Sequence, residues 1–430
     1  MKKLFFVFFI TVLVIKTFGQ MPSPALVGYW HNWNTVSAPY IQLDEVDSSY
    51  NVIDVAFAVP KAGTDYNMTF IPYGVTESNF IKQIKNLQSQ GKKVLISVGG
   101  ANDPISLDNK KERDTFISSM LLIINTYGFD GIDLDLEGAS LILSGGTISN
   151  PIDSSIVNLI YAIKEIMNTY HISHGKKLLL TMAPETAFVQ GGMSGYGSIW
   201  GAYLPIIHAL KDSLDLLHVQ LYNSGSMNGL DGKTYNQGTC DFILAMTESV
   251  ILGFHTSGGW FSGLPAHKIA VGLPACPSAA GGGFADTSTV SSAMRYILGK
   301  GLKPNSYKLS NSYPNLGGMM TWSINWDAVY NCNNSAYEYA KMYESIFGKS
   351  IPSVVKKIKN HHHLEVYPNP TDKYLNIPFG KFKINNMIGQ IVMEGDNFSD
   401  KIEISTLIQG YYFITIMTKN EIFIAKFLKK

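Results

Sequence analysis

Three carboxylates occupy alternate positions in Phe129-Asp130-Gly131-Ile132-Asp133-Leu134-Asp135-Leu136-Glu137-Gly138. Apolar residues separate them, the pattern of a strand whose successive side chains point to opposite faces. Ile132, Leu134 and Leu136 then face one way. Asp133, Asp135 and Glu137 face the other, with neighbours about 6.6 Å apart. Burying such charges without partners is costly, and both desolvation and mutual repulsion raise carboxylate pKa values. At least one of the three is expected to hold a proton near neutral pH, as a general acid must. Glu137, last on the strand, is the natural proton donor, with Asp135 as its switchable neighbour and Asp133 deepest. A metal site is the competing reading. It would draw ligands from other strand ends, where His31, His218 and Glu185 are the few on offer. No metal and no organic cofactor is expected.

The elements that position this strand are legible as seven further apolar segments. They begin at Leu26 (LVGYW), Val52 (VIDVAFAV), Lys93 (KVLISVGG), Lys177 (KLLLTMAPE), Leu216 (LLHVQLYN), Lys268 (KIAVGLPA) and Gly318 (GMMTWS). Each is short, rich in Val, Ile or Leu, and bounded by Gly, Pro or Asn, as parallel strands covered on both faces are. Helical periodicity fills most of the intervals, around 77–90, 112–127, 157–170, 242–252 and 335–347. The alternation predicts an α/β fold, a (β/α)8 TIM barrel over residues 20–348, with the active site at the C-terminal strand ends. A doubly wound open sheet is the alternative, and no GxGxxG or Walker motif supports it.

Of the 430 residues 46% are hydrophobic, which supplies a large core. Lys+Arg 34 against Asp+Glu 33 leaves a formal charge of +1, so the electrostatic footprint of a nucleic-acid binder is absent. Residues 1–19 read as a secretory signal: Lys2 and Lys3 precede an apolar run, Leu4 to Ile15, that is too short to span a bilayer. Nothing else approaches a membrane-spanning length. Cys240, Cys276 and Cys332 allow at most one internal bridge, and their plain reading is buried or incidental cysteines. Residues 349–363, with four Lys and three His, read as a linker. From 364 to 430 the helical period gives way to short β-rich segments and turns, which predicts a small all-β sandwich. It holds no His and no Cys, and reads as a module for attachment, sorting or binding.

The carboxylate segment resembles the DGxDxDxE motif of glycoside hydrolase family 18, the chitinase family. Ser97-Val98-Gly99-Gly100 is similar to that family's SxGG motif on the third strand. Gln220-Leu221-Tyr222-Asn223 is similar to QxYN on the sixth, and Met320-Thr321-Trp322-Ser323 to the eighth-strand segment with its tryptophan. Tyr29 and Phe57 fall where the family places aromatics on strands one and two. The resemblance implies a substrate-assisted mechanism in which the substrate's own 2-acetamido oxygen attacks C1. It implies Glu137 as acid and then base, Asp135 as partner of the acetamido N–H, and Asp133 sharing a proton with Asp135. Tyr222 would bind the acetamido carbonyl, Gln220 would line the pocket and Trp322 would floor the −1 sugar. Met182 and Asn223 join Tyr29 and Phe57 as lining residues. Glu185 is either a cleft hydrogen-bonding group or an ordinary loop carboxylate.

The short interval from Ala275 to Gly318 leaves no room for the α+β lobe some members insert there. An open groove and endo-type cleavage of chitin or chitooligosaccharides follow. Two alternatives share the barrel: an endo-β-N-acetylglucosaminidase acting on N-glycan cores, and a chitin-binding lectin, although such lectins lack the terminal Glu. The tail carries Val366-Tyr367-Pro368-Asn369-Pro370, Asn386-Met387-Ile388-Gly389-Gln390 and Gly410-Tyr411-Tyr412-Phe413. It resembles the sorting domain of type IX secretion. That implies outer-membrane secretion machinery as partner and an extracellular or cell-surface location, for a protein expected to be a monomer.

Overall fold

The computed structural model describes residues 20–330, 332, 335–348, 366–387, 390–397, 399–417 and 422–430. The signal segment 1–19 and the linker 349–363 lie outside the described residues, as do Ile388 and Gly389 of the tail motif. The chain divides into two units, Met1–Pro352 and Ser353–Lys430.

The first unit is a parallel barrel. Its strands are β1 (Ala25–His31), β2 (Val52–Pro60), β3 (Lys93–Gly99), β4 (Gly131–Asp135), β5 (Leu179–Met182), β6 (Leu216–Leu217), β7 (Ala270–Pro274) and β8 (Gly318–Trp322). Each pairs with its chain neighbour, and β8 pairs with β1. Between β6 and β7 the ladder thins to two bridges, Leu217 with Ile269 and Gln220 with Gly272. The Leu221 N–H donates to the Gly272 carbonyl there at 2.9 Å. The eight strands are the eight segments read from the sequence.

Helices α1 (Glu77–Ser89), α2 (Lys110–Tyr127), α3 (Ser154–His174), α4 (Leu204–Leu210), α5 (Cys240–Leu252) and α6 (Thr287–Ile297) follow β2 to β7. After β8 come α7 (Ile324–Asp327) and α8 (Glu338–Phe347), whereas the β1–β2 connection has only a 3-10 turn at Leu43–Glu45. Local chemistry starts and stops these helices. Asn109 and Glu112 form a reciprocal capping box at the head of α2, and Gly128 ends it at φ 73°.

Strand alternation sorts the barrel's residues into two cores. Outward residues such as Ile53, Ile96, Ile132, Leu134, Leu180 and Met182 belong to the main core. Inward residues such as Ala25, Val27, Tyr29, Leu95, Leu179, Ala183 and Met320 form a separate inner cluster.

Cys276 and Cys332 are joined in a disulfide across 56 residues, and Cys240 is free and half-buried. Two of the three cysteines are therefore structural rather than incidental. Sequence spacing could not show which pair the β7 and β8 ends bring together.

The second unit is all-β. Strands β10 (Gly380–Asn386), β11 (Ile391–Asn397), β13 (Gly410–Met417) and β14 (Ile422–Lys429) make an antiparallel sheet in the order β11-β10-β13-β14. Strands β9 (Tyr374–Asn376) and β12 (Lys401–Glu403) pair separately. Leu375, Ile384, Ile404, Ile414, Ile416 and Phe427 share its core. Among the described residues no helix is long and apolar enough to cross a membrane.

Candidate active site

The alternation in β4 puts Asp133, Asp135 and Glu137 on the inward face, as a column rising toward the C-terminal strand ends. Asp133 is fully buried, Asp135 is 2% exposed and Glu137 is half-buried. Asp133 accepts three hydroxyl hydrogen bonds: Tyr29 of β1 and Ser97 of β3 at Oδ2, and Thr181 of β5 at Oδ1, each at 2.7 Å. The two strands flanking β4, and β1 across the barrel, thus each contribute one hydroxyl to it. Hydrogen bonds to a charged group are the strong ones, about 1.5–3 kcal/mol each.

The upper part of the column is organised by Gln220. Its Nε2 donates to Asp135 Oδ1 at 2.7 Å, to Glu137 Oε1 at 2.9 Å and to the Ala183 carbonyl at 3.0 Å. Asp135 also hydrogen-bonds Glu137. Burial, then the charges of Glu137 and Asp133, push Asp135 well above the usual carboxylate range. Its hydrogen-bond partners are thus Glu137 and Gln220, not Asp133, so the expected Asp133–Asp135 sharing is not the arrangement present. Tyr203 ties down the backbone of this strand end, donating to the Leu134 carbonyl and accepting from Leu136 N–H, both at 3.0 Å.

Above the column lies a cavity of about 620 Å³. Phe57, Glu137, Gln220, Tyr222, Asn223 and Trp322 line it, as the sequence reading has them. Trp322 and Phe57 face each other nearly parallel, with centroids 6.1 Å apart. Burial, then the charges of Asp135 and Glu137, raise Tyr222 well above the ordinary tyrosine range, so its hydroxyl remains a donor. Gly99 (φ 106°) and Gly100 (φ 76°) admit no side chain: a Cβ would collide with the Asp135 carbonyl at the first and the Phe57 ring at the second.

Three assigned residues stand elsewhere. Tyr29 lies beneath the cavity, 1% exposed, as a donor to Asp133. Glu185 is not a cavity-lining residue. It accepts the Gly138 N–H beside Glu137, and burial and the Glu137 charge raise its pKa. Met182 is not a lining residue either: Thr181 faces inward on β5, so the next residue must face the helices, and Met182 is buried in the outer core.

The sequence reading missed several residues. Trp33, Asn102 and Asp103 line the cavity from loops, where periodicity carries no information. His31 stacks on Trp33 at 4.3 Å, and burial holds it down to about 3. Asp54 was legible as a lone carboxylate of inward parity in VIDVAFAV.

The profile described as "Glycosyl hydrolases family 18" matches residues 25–309, and "Secretion system C-terminal sorting domain" matches residues 365–430. The first match covers more than half of the chain, and the chain belongs to glycosyl hydrolase family 18. Chitinase Chi52 of Paenibacillus xylanexedens is 47% identical over 321 residues, and Chitinase D of Niallia circulans 48% identical over 322. Each alignment covers 73% of this chain and 60% of the relative, so the chain spans well under the full length of either. The crystal structure of a family GH18 chitinase from Chromobacterium violaceum superposes with a TM-score of 0.67 at 36% identity. That match covers 76% of this chain and 84% of the other.

Proposed function

We propose that the barrel is an endo-acting chitinase that hydrolyses β-1,4 bonds between N-acetylglucosamine units with retention, by substrate assistance. The observation that carries the reading is Gln220 bridging Asp135 and Glu137 beside a cavity that Trp322 helps to line. Glu137 protonates the leaving oxygen while the substrate's acetamido oxygen closes on C1. The bond to the leaving sugar breaks, and an oxazolinium ion forms. Asp135 accepts a hydrogen bond from the acetamido N–H and offsets the positive charge, while the Tyr222 hydroxyl donates to the acetamido oxygen. Water then attacks C1 as the bond from C1 to the ring oxygen of the oxazolinium ion breaks and restores the acetamido group, and Glu137 takes the water's proton. The indole of Trp322 offers the sugar a flat apolar surface.

The tail serves sorting. Its family match supports recognition by the secretion machinery of an outer membrane and delivery outside the cell. The catalytic unit spans 20–348 and acts as a monomer.

The test is a product time course on a soluble chitin oligosaccharide, with Glu137→Gln run beside the unaltered protein. Cleavage to a first product of β anomeric form, absent in the variant, supports the reading. Binding without cleavage overturns it, and a high-mannose glycoprotein is then the next substrate.

A further inference from the structure

Beneath Asp133 lie two buried titratable side chains with no part in the chemistry above. Asp54 of β2 and His218, the residue after β6, are both fully buried. Neither oxygen of Asp54 makes a hydrogen bond, and the His218 ring has no hydrogen-bond partner beyond its own backbone, in contrast to Asp133 with its three donors. Yet the two are not isolated. His218 Nε2 is 3.6 Å from Asp54 Oδ2 and 3.5 Å from Asp133 Oδ1. The three ligating atoms fall within 4.8 Å of one another.

The titratable groups facing this pair are Tyr29 of β1, and Asp133 and Asp135 of β4. Strands β3 and β5 present Ser97 and Thr181, while β7 and β8 fill the adjacent space with Gly272 and Met320. Tyr29 meets the imidazole edge-on at 6.2 Å.

Two charged carboxylates this close, one without a single donor, are not tolerated in a dry interior. The one without donors must be the neutral acid. Burial and the Asp133 charge raise Asp54 accordingly, and burial lowers His218. A neutral imidazole has one N–H, and the near-equal distances, too long for a formed hydrogen bond, put Nε2 facing both carboxyl groups at once.

Building on the catalytic reading above, we propose that His218 and Asp54 are positioning residues: one ring N–H, facing both Asp133 and a neutral Asp54, fixes the base of the column electrostatically so that the proton above stays with Asp135 and Glu137. The Asp133 charge helps to raise Asp135, and without the ring N–H that fixes the base of the column this charge bears less fully on Asp135, which then gives up its proton at lower pH.

The experiment compares His218→Leu, which keeps bulk and removes the donor, with His218→Gln, which keeps an N–H. On a chromogenic chitooligosaccharide, His218→Leu lowers kcat at least tenfold with KM within threefold. Its alkaline limb of kcat/KM moves to lower pH. His218→Gln returns kcat to within threefold of the unaltered enzyme and restores the limb. A leucine variant with unchanged kcat and limb, or a glutamine variant as impaired as leucine, overturns the proposal.

Nuclear magnetic resonance of the unaltered protein tests the same pair without needing catalysis or a folded leucine variant. The His218 ring is expected to be neutral with its hydrogen on Nε2. The Asp54 carboxyl carbon, assigned by its loss in Asp54→Asn, is expected to be protonated at pH 7. An ionised Asp54 or an Nδ1–H tautomer overturns the proposal whether or not the enzyme cleaves chitin. A stoichiometric divalent ion in elemental analysis of the purified protein, lost in Asp54→Asn, overturns it in favour of a metal site.

Discussion

The two faces of the barrel strands differ in kind. Outward, Ile132, Leu134 and Leu136 of the carboxylate segment enter a core of aliphatic and aromatic side chains shared with the helices. Inward, the same segment contributes Asp133, Asp135 and Glu137 to a layer with Tyr29, Asp54, Ser97, Thr181, His218 and Gln220, nearly all of them buried. Both faces are dry. The outer one stabilises through area and shape, which are tolerant of which apolar residue stands where. The inner one depends on donors and acceptors of β1, β3, β4 and β5, with Gln220 beyond β6, meeting atom to atom. The outer face therefore holds the barrel together, and the inner face spends part of that stability to keep carboxylates where water cannot relax them.

The comparison breaks most sharply at Glu137. Glu137→Gln should lower kcat/KM by about 10³-fold, the upper range for a general acid and base, with an unchanged melting temperature. The complementary cut on the outer face is Leu134→Ala. It should cost about 2–5 kcal/mol of stability in a denaturant titration, while the folded enzyme keeps its KM. A smaller effect is expected at Thr181→Val, which leaves Asp133 Oδ1 without its hydroxyl: about 1–3 kcal/mol of stability, together with a measurable fall in kcat.

The pH dependence of stability gives the finest distinction. Asp54 and Asp135 hold protons more tightly folded than unfolded. Their contribution is complete below the unfolded carboxylate value, about 4, and is lost as pH rises toward the folded values. The melting temperature of the unaltered protein should therefore fall from pH 5 to pH 8, and that of Asp54→Asn should fall less. Equal slopes would mean that Asp54 is already ionised.

The legible parts of the site are those with a period. The alternation of Asp133, Asp135 and Glu137 with Ile132, Leu134 and Leu136 assigns faces without any knowledge of the fold, and eight such segments separated by helical intervals imply a barrel. The same parity rule, applied to Thr181, would have turned Met182 outward, and applied to Ile53 and Val55 would have turned Asp54 inward. Glu185 and the cavity residues Trp33, Asn102 and Asp103 lie just past strand ends, where no period operates. The Cys276–Cys332 bridge was equally illegible, because its two ends approach only when β7 and β8 lie side by side.

What the sequence alone determined was which residues share a face: alternation is local, and two backbone dihedrals per residue suffice to produce it. It also carried the motifs that mark the family and the β-rich character of the tail. Tertiary structure decided the partners. That Gln220 spans Asp135 and Glu137, that three hydroxyls from three strands converge on Asp133, and that His218 stands between Asp133 and Asp54 all depend on barrel closure. Closure sets the stagger between strands far apart in the chain, and hydrogen bonds of 2.7 Å leave no tolerance in that stagger.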